Sequence, residues 1–287
     1  MNIEKIIEHL NAKKFKSEIW INSLEQRKRE ELDFHNLDRE KEDINILKKQ
    51  AELDIHANKK FYSITDSSKA YVDNWLKKNI KGKVFLDYAC GDGHYAIKVA
   101  KFGAALSIGI DISDVSVKNA QKIATENEVG DICFFIQSDC ENTELPSESI
   151  DVIICCGMLH HLDLSYAFPE LRRILKPGGK IICLESLSVN PLIQLYRNLT
   201  PEMRTDWEKK HILGPKDLNM AKYFFDVIDV KYWHLAIIFA VPFRNTFLKK
   251  PLFFFFNFID NIILKIPFLN RMAWIFTFVL EKPLIRE

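Results

Sequence analysis

The hydrophobic pattern of the chain changes its period near residue 83. Before that point apolar residues recur at helical intervals in a charged background. Ile3, Ile6, Ile7 and Leu10 form one stripe at i, i+3, i+4 and i+7. No glycine or proline interrupts the first 81 residues. The pattern predicts two or three helices over residues 1–60, either packed on another part of the fold or left as a solvated charged face. After residue 83 short apolar runs alternate with amphipathic ones. VFLDYA leads into a helix through Lys101, ALSIGID into a helix from Ser113 to about Glu126. ICFFIQSD, IDVIICC, a helix from about Ala167 to Leu175 and KIICLES follow. Strands apolar on both faces, each succeeded by a helix, describe a parallel doubly wound sheet. Lys176-Pro177-Gly178-Gly179 is expected to stop a helix and turn the chain into the next strand.

Beyond Leu187 the pattern loosens. Prolines at 191, 201 and 215 break the chain into short helices expected over the end of the sheet. FFDVIDVKYWHLAII and AWIFTFVL return to β-rich composition and predict two more strands. The implied division is a helical extension or lid over 1–60, a core over 61–186, a helical cap over 187–225, and two last strands over 226–287 with an apolar helical insertion at about 243–268. That insertion has nearly the length of a membrane span. Asn257, Asp260, Asn261 and Lys265 interrupt it, however, and on a helix they fall in one arc. It reads as a helix lying on the fold, not one crossing a bilayer. It packs against the sheet, roofs an apolar pocket, or rests on a membrane surface with Lys249, Lys250 and Arg271 near the headgroups. The polar arc favours packing, so the chain is expected to stay off vesicles.

Composition adds exclusions. Forty basic and 39 acidic side chains give a net charge of +1, no footprint for nucleic acid. Six cysteines lack C-x-x-C spacing, so neither a metal site nor a disulfide framework is expected. The charged start does not read as a signal peptide, and a cytoplasmic location is the default expectation. Oligomeric state is not legible.

The chemistry lies at the carboxyl ends of the strands. Gly91-Asp92-Gly93-His94-Tyr95-Ala96 fits the G-x-G-x-x-G/A turn of nucleotide cofactors, which alone does not choose between a nicotinamide and another adenosine ligand. Three acids, Asp87, Asp111 and Asp139, end three successive strands and should point into one crevice. Asp111 accepts ribose hydroxyls in either case. Asp87 discriminates: a pyrophosphate at the next helix N-terminus disfavours a nearby carboxylate, whereas a ligand with an amino group and a sulfonium suits one. Asp139 suits the amino group of adenine. S-adenosyl-L-methionine meets all three demands.

These residues make the chain resemble the class I S-adenosylmethionine-dependent methyltransferases over residues 82–186. The resemblance rests on Asp87-Tyr-Ala-Cys-Gly91-Asp-Gly93, Gly109-Ile-Asp111-Ile-Ser113, Ser138-Asp139-Cys140, Asp151-Val-Ile, Gly157-Met-Leu-His-His161-Leu and Leu171-Arg-Arg-Ile-Leu-Lys-Pro-Gly-Gly179. It implies an α/β, Rossmann-like, doubly wound and mostly parallel seven-stranded sheet with a helical N-terminal extension and helical cap and insertions. It also implies a cofactor site of Tyr62, Asp87, Ala89, Cys90, Gly91, Gly93, Asp111, Ile112, Asp139, Cys140, Cys156 and Gly157. The family usually has glycine where this chain has Ala89, whose methyl would crowd the cofactor. Asn190–Arg197 and Leu199–His211 are similar to a bacterial subgroup that tailors sugars, lipids, natural products and peptide carboxylates.

Methyl transfer from a sulfonium is an in-line displacement that rests on alignment and exclusion of water. A hydroxyl acceptor also needs a base, and His160, His161 and His211 are the catalytic candidates. Arg197 and Arg204 could orient an anionic acceptor such as a carboxylate, which needs no base. Tyr62 and His35 are lid candidates, toward the cofactor and the substrate respectively. The leading expectation is O-methylation of a small-molecule or peptide acceptor. The alternatives are a lipid or lipid-linked sugar acceptor at a membrane surface, a nicotinamide-dependent oxidoreductase, and a cofactor-binding partner protein without catalysis.

Overall fold

The computed structural model describes residues 2–43, 62–201 and 204–284, with residues 38–43 described by their backbone. Residues 44–61 of the expected N-terminal extension therefore lie outside the described residues. The centre is a seven-stranded sheet: β1 (Val84–Tyr88), β2 (Leu106–Asp111), β3 (Cys133–Gln137), β4 (Ile150–Cys156), β5 (Leu175–Ser186), β6 (Asp226–Trp233) and β7 (Ile275–Glu281). Their spatial order is β3-β2-β1-β4-β5-β7-β6, and the first five run parallel while β7 is antiparallel to both of its neighbours.

Burial explains why these segments are strands. Every residue of β1 and β2 is buried, as a strand covered by helices on both faces must be. Side chains alternate across the sheet: Val84, Leu86 and Tyr88 join one hydrophobic cluster, while Phe85 joins the cluster on the opposite face. The strand order reverses direction between β1 and β4. That is where the carboxyl ends of strands leave a crevice.

The helices fall between strands as their caps dictate. Ser113 caps the helix over Asp114–Glu126 by accepting from the Ser116 amide, and Asp163 caps the helix over Leu164–Ile174 through Ser165. Strand β5 begins at Leu175, so Lys176–Gly179 is an irregular stretch inside the strand, with a register shift against Ile150 and Val152, rather than a turn before it. The N-terminal region forms α1 (Ile3–Ala12), α2 (Glu18–Ser23) and α3 (Gln26–Asp43). Ile6 and Leu10 of the predicted stripe are buried in the main cluster. Short helices over Pro191–Leu199, Asp206–His211 and Pro215–Ala221 follow β5. Between β6 and β7 the apolar segment forms a 3₁₀ turn at Ala236–Phe243 and a helix at Lys249–Ile263.

Candidate active site

The turn after β1 is built on left-handed backbone. Ala89, Gly91 and Gly93 have φ of 58°, 53° and 77°. Two of the three are glycine, which adopts this conformation freely; Ala89 does so against the steric preference of an L-residue. Gly93 also has no room for a side chain, because a Cβ there would meet the Phe135 ring at 2.6 Å. The turn aims Ala89 and Gly91 at a cavity of about 210 Å³, which Asp111, Ile112, Asp139, Cys140, Cys156 and Gly157 also line. Asp111 accepts from the amides of Gly91 and Ser113, both at 2.9 Å, and these bonds fix its orientation. A carboxylate has about four lone-pair positions, so two remain for hydroxyl donors. A Cβ at Gly157 would meet nothing within 4 Å and would project into open space.

Four of the twelve residues assigned to the cofactor site are absent from this cavity's wall: Tyr62 lines a neighbouring cavity, and Asp87, Cys90 and Gly93 stand behind this one. Asp87 is buried and its carboxylate turns to the helix over His94–Lys101, accepting from the Ala96 amide at 3.0 Å. Burial, with the charge of Asp111, outweighs that bond and pushes the Asp87 carboxyl up to about 8. Direct contact between Asp87 and a cationic ligand is thus corrected to support of the turn from beneath. Cys90 and Gly93 lie with it in the packing under the turn and are absent from the cavity wall.

Helix α3 closes the other side. Lys28 Nζ lies 2.7 Å from Asp139 and 2.8 Å from Glu141, and Arg27 makes two 2.9 Å bonds to Glu141. Glu31 and His35, one and two turns further along, face the same way. Arg27, Lys28 and Glu31 escaped the sequence reading. Their signal was the i, i+4, i+8 spacing of Arg27, Glu31 and His35 on one face of a highly charged helix.

A second cavity, about 350 Å³, adjoins the first. It gathers Tyr62, His35, His160, His161, Arg197 and Arg204 with Glu208 and Trp274. His35, Gly157 and His161 line both cavities. The 3₁₀ turn at Leu159–His161 positions the two histidines, and Glu185 at the end of β5 holds it. Glu185 accepts from the amides of Met158 and Leu159 and from His160 Nδ1, each at 2.9 Å. Burial disfavours a charged imidazole at His160, but the Glu185 bond and the charge of Glu208 outweigh it and raise its pKa. Its Nε2 points toward Glu208, 3.9 Å away. His161 Nδ1 meets Glu31 at 3.0 Å. Burial would raise the Glu31 pKa, yet hydrogen bonds to His161, His35 and Thr205 hold it well below the usual carboxylate range. Arg204 pairs with Glu208 at 3.4 Å, and burial beside Arg204 brings Arg197 down to about 10, still a cation at neutral pH.

His211 is elsewhere. It is exposed, stacked on Trp207 with ring centroids 3.7 Å apart and bonded through Nδ1 to the Trp207 carbonyl at 2.7 Å. The helix over Asp206–His211 turns Glu208 toward the acceptor cavity and carries Trp207 and His211 on another face. Glu185 was missed, although it is a fourth acid ending a parallel strand, in the same register of meaning as Asp87, Asp111 and Asp139. Among the described residues, Glu31, His35 and His161, and likewise His160, His161 and Glu208, bring potential metal ligands within 4.8 Å of one another.

Five parallel strands with a reversed seventh, a glycine turn after β1 and a cavity at the reversal of strand order define a cofactor-binding enzyme of the doubly wound class. Comparison with known proteins names it. Residues 86–183 match the family model described as a methyltransferase domain. The ubiquinone biosynthesis O-methyltransferase of Neisseria meningitidis serogroup C (strain 053442) is 28% identical over 172 residues, covering 56% of this chain and 70% of that enzyme. The 27-O-demethylrifamycin SV methyltransferase of Amycolatopsis mediterranei (strain S699) is 33% identical, but the match spans only 35% of this chain and 37% of that one. A crystal structure of geranyl diphosphate C-methyltransferase from Streptomyces coelicolor A3(2), in complex with Mg2+, geranyl diphosphate and S-adenosyl-L-homocysteine, superposes with a TM-score of 0.55 at 12% identity, covering 75% of this chain and 79% of that one. These matches make the chain an S-adenosylmethionine-dependent methyltransferase, with its methyltransferase domain over residues 86–183. Its cofactor is S-adenosylmethionine, which sets aside the nicotinamide and non-catalytic readings. The cavity fits that cofactor: strand-end carboxylates for hydroxyl and amino donors, and open space above Gly157.

Proposed function

We propose that the protein transfers a methyl group to an acidic oxygen, phenolic or carboxylic, of a small-molecule or peptide-borne acceptor. The observation that carries this is the shared wall. His35, Gly157 and His161 belong to both cavities, so a group leaving the first enters the second. S-adenosylmethionine supplies an electrophilic methyl on sulfur. Asp111 takes the ribose hydroxyls through its free lone pairs, and Asp139, released in part from Lys28, takes the adenine amino group. Ala89, Gly91, Ile112, Cys140, Cys156 and Gly157 form the remaining walls. In the second cavity Tyr62 and Trp274 pack on each other, with ring centroids 5.7 Å apart, and together form an aromatic wall for the acceptor. Arg197 and Arg204 draw its oxygen into place as an anion. His160 Nε2 removes the proton from a hydroxyl acceptor, while Glu185 holds the ring by Nδ1 and stabilises the imidazolium that forms.

The names of the O-methyltransferase relatives support oxygen as the methylated atom. The test is transfer of an isotope-labelled methyl group from S-adenosylmethionine to matched panels of phenols, carboxylic acids and amines. Methyl ethers or esters are expected; methylation confined to the amines would overturn the proposal. A lipid-borne acceptor is the second reading. It is favoured by the cluster that joins Trp274 and Ile193, at the acceptor cavity, to Ile237 and Ile238 of the apolar segment.

A further inference from the structure

The apolar segment between β6 and β7 forms a surface that neither cavity explains. Its helix, Lys249–Ile263, is tied to the fold along one side only. Leu252, Phe253 and Phe256 pack on the cluster that contains Ile237, Ile238 and Trp274. Buried Asp260 accepts from the amides of Leu235, Ala236 and Ile237 at 3.2, 2.6 and 3.3 Å. Asn257 accepts from Ser67 at 3.4 Å. Two residues of the polar arc, Asn257 and Asp260, face the protein, because the amides at the start of the 3₁₀ turn need acceptors.

The opposite side is apolar and open. At about 100° per residue, Phe254, Phe255, Phe258 and Ile262 fall within roughly 100° of arc. They are 77%, 54%, 59% and 52% exposed. Phe247, just before the helix, is 90% exposed, and Phe268, just after it, 74%. A helix apolar on both sides belongs inside something, and an apolar patch of this kind marks an interaction site. Charge says what covers it. Residues 236–273 carry Arg244, Lys249, Lys250, Lys265 and Arg271 against Asp260 alone, and Asp260 is buried, whereas the whole chain is balanced to +1. Lys249 and Lys250 stand at one end of the apolar face, Lys265 and Arg271 beyond the other, all exposed.

We propose that this face docks on the surface of an anionic lipid bilayer. The helix lies in the interface, with Phe254, Phe255, Phe258 and Ile262 at the boundary of the acyl chains and the basic residues among the headgroups. At 15 residues it is about 22 Å long, too short for a hydrocarbon core of about 30 Å, and among the described residues no helix is long and apolar enough to cross a membrane. A second copy is a poor occupant, since a two-fold contact would set the same cations against each other. The expectation that the chain stays off vesicles rested on the helix packing against the fold; the helix does pack, by its polar arc and one apolar side, and leaves Phe254, Phe255, Phe258 and Ile262 outside.

The test is flotation of the full chain with vesicles of phosphatidylcholine alone and of equal parts phosphatidylcholine and phosphatidylglycerol. Flotation with the second mixture and little with the first is expected. Lys249→Ala with Lys250→Ala should weaken vesicle affinity about thirtyfold. Phe254→Ser, Phe255→Ser, Phe258→Ser and Ile262→Ser together should abolish flotation. These positions are solvent-facing, so thermal unfolding and calorimetric binding of S-adenosylmethionine should stay unchanged and confirm an intact fold. Absence of flotation with the anionic mixture, or flotation that survives the serine variant, overturns the proposal. So does a dimer in light scattering that the serine variant dissociates, since the face would then join two copies. None of these readouts uses an acceptor, so a failure here is separate from a failure of the proposed oxygen methylation.

Discussion

The two adjoining cavities are built in different ways. The cofactor cavity takes most of its wall from residues 89–157, the turns that follow β1, β2, β3 and β4, which are consecutive in the chain and adjacent in the sheet in the order β3-β2-β1-β4. The acceptor cavity gathers residues 34–35, 62, 157–161, 186–212 and 274, segments brought together only by the closed fold. Backbone geometry and strand-end carboxylates define the first. Hydrogen bonds between remote elements hold the histidines of the second, as in the links His161–Glu31 and His160–Glu185, and among the described residues the first meets such a remote element only along α3, through Arg27 and Lys28. A turn built from one short segment after a strand is a local solution. An acceptor pocket is a long-range one, and it can change without disturbing the turn.

The largest effect that would sharpen this comparison falls on the cofactor side alone. Asp111→Ala strips the acceptor from the amides of Gly91 and Ser113 as well as from the ribose. It should cost roughly 2 to 4 kcal/mol of S-adenosylmethionine binding by calorimetry. The acceptor Michaelis constant should not move; a matching rise in it would break the division into two independent cavities.

On the acceptor side His160→Ala should lower turnover about 10²-fold with a hydroxyl acceptor, while His211→Ala, on the outer face, changes it less than about twofold. The pH profile carries the sign. His160 has a pKa raised above 6.5, so turnover should climb along a limb above that value as the imidazole loses its proton. Glu185→Gln should move the limb to lower pH. The stability linked to the same shift is full below the unfolded-state pKa and is lost as pH rises through the folded value, so Glu185→Gln should destabilise most at acid pH. A profile without a limb on a phenolic acceptor would remove His160 as the base.

The smallest effect concerns Ala89. At φ 58° its methyl is held where glycine would sit without strain, and it lines the cofactor cavity. Ala89→Gly should raise stability by up to about 1 kcal/mol in denaturant unfolding, the relief of strain being offset in part by the freer unfolded chain. Cofactor affinity should improve modestly. Weaker binding by the glycine variant would mean that the methyl packs against the ligand and does not crowd it.

How much of this was legible in the chain follows the same division. Runs such as Val84–Tyr88 and Leu106–Asp111, continuous in apolar residues and each followed by a helical period, dictate buried parallel strands, because only a strand covered on both faces can hide them. The acids at strand ends and the glycines of the turn could be placed for the same reason, as features of one short segment each. The direction in which a side chain points was decided elsewhere. Asp87 faces the helix start because the left-handed turn at Ala89 carries the cavity past it. Glu185 and Glu31 become partners of His160 and His161 only when β5 and α3 reach the same end of the sheet. His211 leaves the pocket because the helix over Asp206–His211 carries it beside Trp207 while Glu208 faces the cavity. Asp260 and its phenylalanine neighbours exchange inside for outside because the amides of residues 235–237 claim the carboxylate. Local pattern, a matter of burying apolar surface period by period, was written in the sequence. Which polar group meets which was settled by tertiary structure, since an unpaired buried donor or charge costs more than any local preference can repay.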